Sequence, residues 1–166
     1  MNKPPISDEE KALIEKLHEL ESTYWQTIFK LRDTSSDHVA IVKNLAWKSP
    51  STWDFIALLS IENRKKLFGY MLDTATDINH PCREQAFKEI HRLPGEWVLE
   101  NIEKEMQSFI DTYQDEAYIC LLEILQKLDF DRAVEWARKA NSHENADIQD
   151  VGRDWLKDNN LPEDES

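Results

Sequence analysis

The chain has 166 residues and a mass of 19.6 kDa, the size of one domain that can fold without disulfides or metal. Its 3 glycines, Gly69, Gly95 and Gly152, are widely spaced, which excludes the clustered glycines of a P-loop or dinucleotide-binding turn and disfavours a turn-rich β-sandwich. With 20 basic and 33 acidic residues the net charge is −13, so phosphate-rich partners, whether nucleic acid or an anionic membrane, would be repelled.

The first residues, Met1 to Glu10, contain no apolar core of a signal peptide. The longest nearly continuous apolar run, Phe55 to Ile61, is too short to cross a bilayer. Cys82 and Cys120 are too few for a disulfide scaffold. These features predict a cytoplasmic protein with two buried thiols. One helical domain is expected over 1–166, ordered over 7–160, with a frayed acidic tail at 161–166.

Prolines 4, 5, 50, 81, 94 and 162 stand at the edges of periodic segments, where helices start and stop. The first helix is expected over about 8–31. Ser7 and Glu10 form a capping box, and Leu13, Leu17, Leu20, Tyr24, Ile28 and Leu31 recur every three or four residues. A shorter helix follows over about 37–48, with Val39, Val42 and Ala46 on one face. Ser51 and Thr52 are expected to cap a helix carrying Phe55, Leu58 and Leu59. Another runs from Glu62 through Leu67, Tyr70, Met71 and Ala75.

Asn79-His80-Pro81 opens a helix with Ala86, Ile90 and Leu93. Pro94-Gly95 turns the chain into one carrying Trp97, Val98, Ile102, Met106, Phe109 and Ile110. Helices over about 114–128, 131–140 and 146–158 complete the chain. The total is eight or nine helices. No segment alternates strictly enough to predict a strand.

Three of these helices share a spacing. Ala86 and Ile90 align with Leu121 and Leu125, a period of 35, and then with Gly152 and Leu156, a further 31. A small or apolar residue followed by an aliphatic one four positions later is a helix-packing seam. Seams at this period indicate stacked helix pairs, each burying its face on the next. The alternative is an irregular bundle, since any amphipathic helix carries such pairs. The segments Asn79-His80-Pro81-Cys82-Arg83-Glu84-Gln85-Ala86 and His143 to Val151 resemble the starts of HEAT repeats. The resemblance covers about half the chain and implies an all-α, right-handed α-solenoid of antiparallel helices.

Charge is unevenly distributed. Residues 1–95 hold 14 acids and 13 bases, net −1, whereas residues 96–166 hold 19 acids and 7 bases, net −12. Such concentration costs self-repulsion. It serves either solubility or a basic protein partner, whose association a one-signed acidic surface steers. Glu96, Glu100 and Glu103 form one stripe, and Asp147, Asp150, Asp154 and Asp158 another.

Catalytic and metal patterns find little support. None of the histidines, 18, 38, 80, 91 and 143, stands in His-Glu-x-x-His spacing. Glu15-x-x-His18 is half of a di-iron motif without a second copy. His80, Cys82 and His91 lack a fourth zinc ligand nearby. No Gly-x-Ser-x-Gly elbow occurs, and Cys120 sits among Ile119, Leu121 and Leu122 as a core residue. No enzyme activity, cofactor or metal is expected. A helical DNA glycosylase would need a basic groove, and only Arg64-Lys65-Lys66 forms a compact basic run. Of the tryptophans 25, 47, 53, 97, 136 and 155, Trp97 and Trp136 are expected to be partly exposed interface anchors.

In size, acidity and helix pattern the chain is similar to the small helical immunity proteins of contact-dependent growth inhibition systems. That resemblance implies a binding protein that neutralises a basic nuclease toxin by occluding its active site. The alternative is a HEAT-like scaffold with no toxin partner. Glu100, Glu103, Asp111, Asp131, Glu135, Asp147, Asp150 and Asp154 are the expected partner-binding residues.

Overall fold

A computed structural model describes residues 6–45 and 49–162 of the chain. Among them the regular structure is entirely helical. Its elements are α1 (Asp8–Thr34), α2 (His38–Asn44), α3 (Pro50–Ala57), α4 (Ile61–Lys65), α5 (Phe68–Thr76), α6 (Arg83–Ile90), α7 (Gly95–Tyr113), α8 (Asp115–Leu128), α9 (Phe130–Asn141) and α10 (Ala146–Asp158). Among the described residues no helix is long and apolar enough to cross a membrane.

Five of the ten described helices start where a side chain satisfies a free amide of the first turn. Ser7 Oγ accepts from the Glu10 N–H at 3.2 Å, and Glu10 Oε2 accepts from the Ser7 N–H at 2.6 Å, the expected capping box. The side chains of Asp37, Ser60, Asp129 and Asn145 each accept from one first-turn N–H of α2, α4, α9 and α10, without the reciprocal bond.

Three expectations are corrected. Among the described residues there are ten helices rather than eight or nine, because the segment from Glu62 is not continuous. At its centre the Leu67 N–H bonds to the Arg64 carbonyl at 2.9 Å, a tightened turn that separates α4 from α5. Ser51 and Thr52 do not cap α3. Pro50 occupies its first turn, where a missing N–H costs nothing, with Ser49 before it and Thr52 buried. The helix opened by Asn79-His80-Pro81 begins only at Arg83, after His80 Nδ1 accepts from the Cys82 N–H at 3.0 Å, and ends before Leu93. Ala46, Trp47 and residues 163–166 lie outside the described residues.

One continuous core runs from Ile28 through Phe55, Phe68, Met71, Ile90, Ile102 and Met106 to Leu121 and Leu125. All six seam positions, Ala86, Ile90, Leu121, Leu125, Gly152 and Leu156, are buried. Helices adjacent in sequence pack together as α5 with α6, α7 with α8, α8 with α9 and α9 with α10. Contacts between α5 and α7, and between α8 and α10, join these pairs.

Two features tighten the assembly. The facing residues of α9 are small, Ala133, Ala137 and Ala140, so α10 approaches closely at Gly152. Glu89 of α6 is 3% exposed, pairs with Arg92, and lies 3.5 Å from Arg64 at the end of α4. Burial pushes its carboxyl above the usual range, and the two arginines oppose that rise only in part.

Candidate functional site

The acidic stripe of α10 follows directly from its helical period. Ile148, Gly152 and Leu156 are buried, whereas Asp147, Asp150, Asp154 and Asp158 are exposed along another side. Val151 and Trp155 fall between these two rows. Because α10 also packs on α8, this intermediate strip faces Ile119 and Leu122 across a cleft of about 460 Å³. The walls are apolar, formed by Ile119, Leu122, Val151 and Trp155. Six carboxylates line the same cleft: Asp115, Glu123, Asp147, Asp150, Asp154 and Asp158.

Few cations answer them. Arg153 pairs with Asp150 and lies 4.0 Å from Asp154, and Arg83 holds Glu123 at 2.8 Å. The negative field extends past the cleft to Glu116. Burial raises the carboxyl pKa of Glu116, and the neighbouring carboxylates of Asp115 and Asp77 raise it further. The arrangement suits a cationic side chain with an apolar stem, such as arginine or lysine, whose methylenes cover apolar surface while its head meets carboxylates.

The eight residues expected to bind a partner are spread over the cleft, two further recesses and the exposed surfaces of α7 and α9. Asp147, Asp150 and Asp154 come together in the cleft. Glu103 and Glu135 line a separate recess of about 200 Å³ with Trp136 and Lys139. There Glu103 is already occupied, accepting from Arg132 Nε at 2.8 Å and from Trp136 Nε1 at 3.1 Å. Burial pushes its carboxyl up, but the Trp136 and Arg132 hydrogen bonds and nearby positive charges outweigh this and hold it below the usual range. Asp111 lines a third recess, with Gln114, His143 and Glu144. Glu100 and Asp131 are exposed on α7 and α9.

Trp97 and Trp136 are both half-buried. Trp136 is fixed by its hydrogen bond to Glu103 and by Lys139, whose Nζ sits 4.0 Å from its ring centroid. Trp155 lines the cleft, half-buried, and its buried Nε1 has no hydrogen-bond acceptor.

Sequence reasoning missed Asp115 and Glu123 because they belong to α8, and only packing brings them opposite α10. Asp158 was legible as the last member of the α10 stripe.

Other groups are already committed locally. A larger recess of about 790 Å³ between α6 and α8 mixes Glu84 and Glu123 with Lys88, Arg92 and Lys127, so it selects no single sign of ligand. His91 lines it, but its Nδ1 sits 2.7 Å from the Phe87 carbonyl oxygen, and burial lowers its pKa. Glu15 and His18 are exposed on α1. Among the described residues no three His, Cys, Asp or Glu side chains gather as metal ligands. Cys82 and Cys120 are buried and are not joined in a disulfide. The chain matches no protein-family model, no curated protein and no solved structure.

Proposed function

We propose that the chain is a protein-binding module, without enzymatic activity, whose α8–α10 cleft receives a basic protein. The observation that carries this is the combination of apolar walls with six carboxylates on one cleft. Solubility alone calls for scattered charge and would not set a tryptophan and three aliphatic side chains among carboxylates. In its most concrete form the module is a cytoplasmic immunity protein that covers the phosphate-gripping site of a nuclease toxin. Such a site is cationic, so an acidic cleft is complementary to it, whereas nucleic acid and anionic membranes are repelled. The pairing of α5–α6, α7–α8 and α9–α10 supports a HEAT-like stack as its framework.

The test is co-expression with the adjacent reading frame. A neighbour that kills alone and is tolerated beside this chain supports the immunity role. Asp147→Lys, Asp150→Lys and Asp154→Lys together should then abolish protection while the protein stays folded. Association of the purified pair should slow steeply with added salt. A harmless neighbour removes the toxin role, and salt-insensitive binding would leave a scaffold whose acidity serves solubility.

A further inference from the structure

Only half of the apolar stripe on α1 is covered. Tyr24 and Leu31 are half-buried and Ile28 is 5% exposed, where the stripe meets the core and α3. One to three turns earlier, on the same side, Leu13, Leu17 and Leu20 are 61%, 63% and 60% exposed. Every residue from Asp8 to Thr23 is exposed. A helical segment of this length, about 24 Å at 1.5 Å per residue, is marginal in water unless something packs on it.

The chemistry around the stripe selects its cover. Between Asp8 and Thr23 stand six acids (Asp8, Glu9, Glu10, Glu15, Glu19, Glu21) and two lysines. An anionic membrane surface would repel that segment. The four-then-three spacing of Leu13, Leu17 and Leu20 is that of a coiled-coil seam, which a second such helix fits. The chain's own core occupies the C-terminal half of the stripe, so a parallel second helix would run into it. An antiparallel one places the two cores at opposite ends. Burying the exposed leucines and Ile14 from two copies, with their flanks, removes roughly 1,000 Å² from water, the lower bound of a specific interface.

We propose that two copies of this chain form a two-fold dimer by pairing the exposed halves of their α1 helices antiparallel through Leu13, Leu17 and Leu20. Sedimentation equilibrium of the full chain, from micromolar to near-millimolar, should give a dimer mass. Leu17→Glu should weaken the dimer by about 100-fold or more. The core should melt as before, because Leu17 is 63% exposed within its own chain. Copies carrying Leu13→Cys mixed with copies carrying Leu20→Cys should form mixed disulfide dimers on oxidation, whereas Leu13→Cys alone should not. The native thiols are buried and do not interfere. A single-chain mass at every concentration overturns the proposal, with or without binding to anionic vesicles. Efficient self-linking by Leu13→Cys alone overturns the antiparallel arrangement.

Discussion

Gly152 of α10 lies so close to α9 that a β-carbon added to it would stand 2.5 Å from the carbonyl oxygen of Ala137 and 2.3 Å from the backbone nitrogen of Asn141. Both are backbone atoms, so no side-chain rotation relieves the clash. On an open helix surface Gly→Ala stabilises by about 1 kcal/mol. Here the sign reverses: Gly152→Ala must push the helices apart and should cost about 1–3 kcal/mol. It should also weaken partner binding, since α10 supplies one wall of the acidic cleft. Urea unfolding measures the first effect, and a midpoint equal to or above the parent's would show that the two helices do not meet at this distance.

The same contact marks what was legible in the sequence. The spacing of Gly152 and Leu156 identified a packing seam, and the bounds of α10, Ala146–Asp158, match expectation. Neither shows which helix is met or how closely. The α4–α5 break left no proline or glycine at Lys66-Leu67, and the apolar period runs straight across it. The α7–α8 junction turns on Gln114, whose φ of 44° lies in the left-handed region that glycine usually fills, so composition gave no sign of the strained turn. The acidic stripe of α10 was readable as a stripe. Its partners on α8 were not, because periodicity describes one helix at a time. For α1, periodicity identified an apolar face but not whether the chain holds anything to cover it.

Tyr24 anchors α1 to α3. Its hydroxyl donates to Asp54 Oδ2 at 2.6 Å, and burial together with that carboxylate raises its pKa to about 12. Tyr24→Phe removes a partly buried, charge-assisted hydrogen bond worth about 1 kcal/mol. The effect should be local. Amide exchange in α1 should quicken several-fold while α8 and α9 remain protected. Uniform acceleration across all helices would mean that α1 unfolds only with the core.

Cys120 is fully buried, and burial raises its thiol pKa to about 12. Only the thiolate attacks alkylating agents and aromatic disulfides, so this group is inert in the folded state. Cys82 is also buried, which denies reagent access. The native protein should therefore show no titratable thiol over minutes at neutral pH, and two after denaturation. A thiol that reacts quickly in the native protein would show that a helix pair opens.

Glu89 and Glu103 should bend the dependence of stability on pH in opposite directions. The carboxyl of Glu89 is raised by burial, with Arg92 and Arg64 offsetting part of the rise. Between its unfolded and folded pKa values the folded state holds the extra proton, so its contribution falls as pH rises through that window. For Glu103, burial is outweighed by the hydrogen bonds from Trp136 and Arg132, and its folded pKa lies below the unfolded one. Its contribution is present above the unfolded pKa and is lost as pH falls through the folded one. Glu89→Gln should therefore remove a decline on the less acidic side of the carboxylate range. Glu103→Gln should flatten the acid limb and cost about 1 kcal/mol at neutral pH, a value kept small because its side chain is 42% exposed. Denaturant unfolding of both variants and the parent from about pH 3 to pH 7 separates the two effects. Profiles running parallel to the parent's throughout would show that neither carboxylate is held as the geometry indicates.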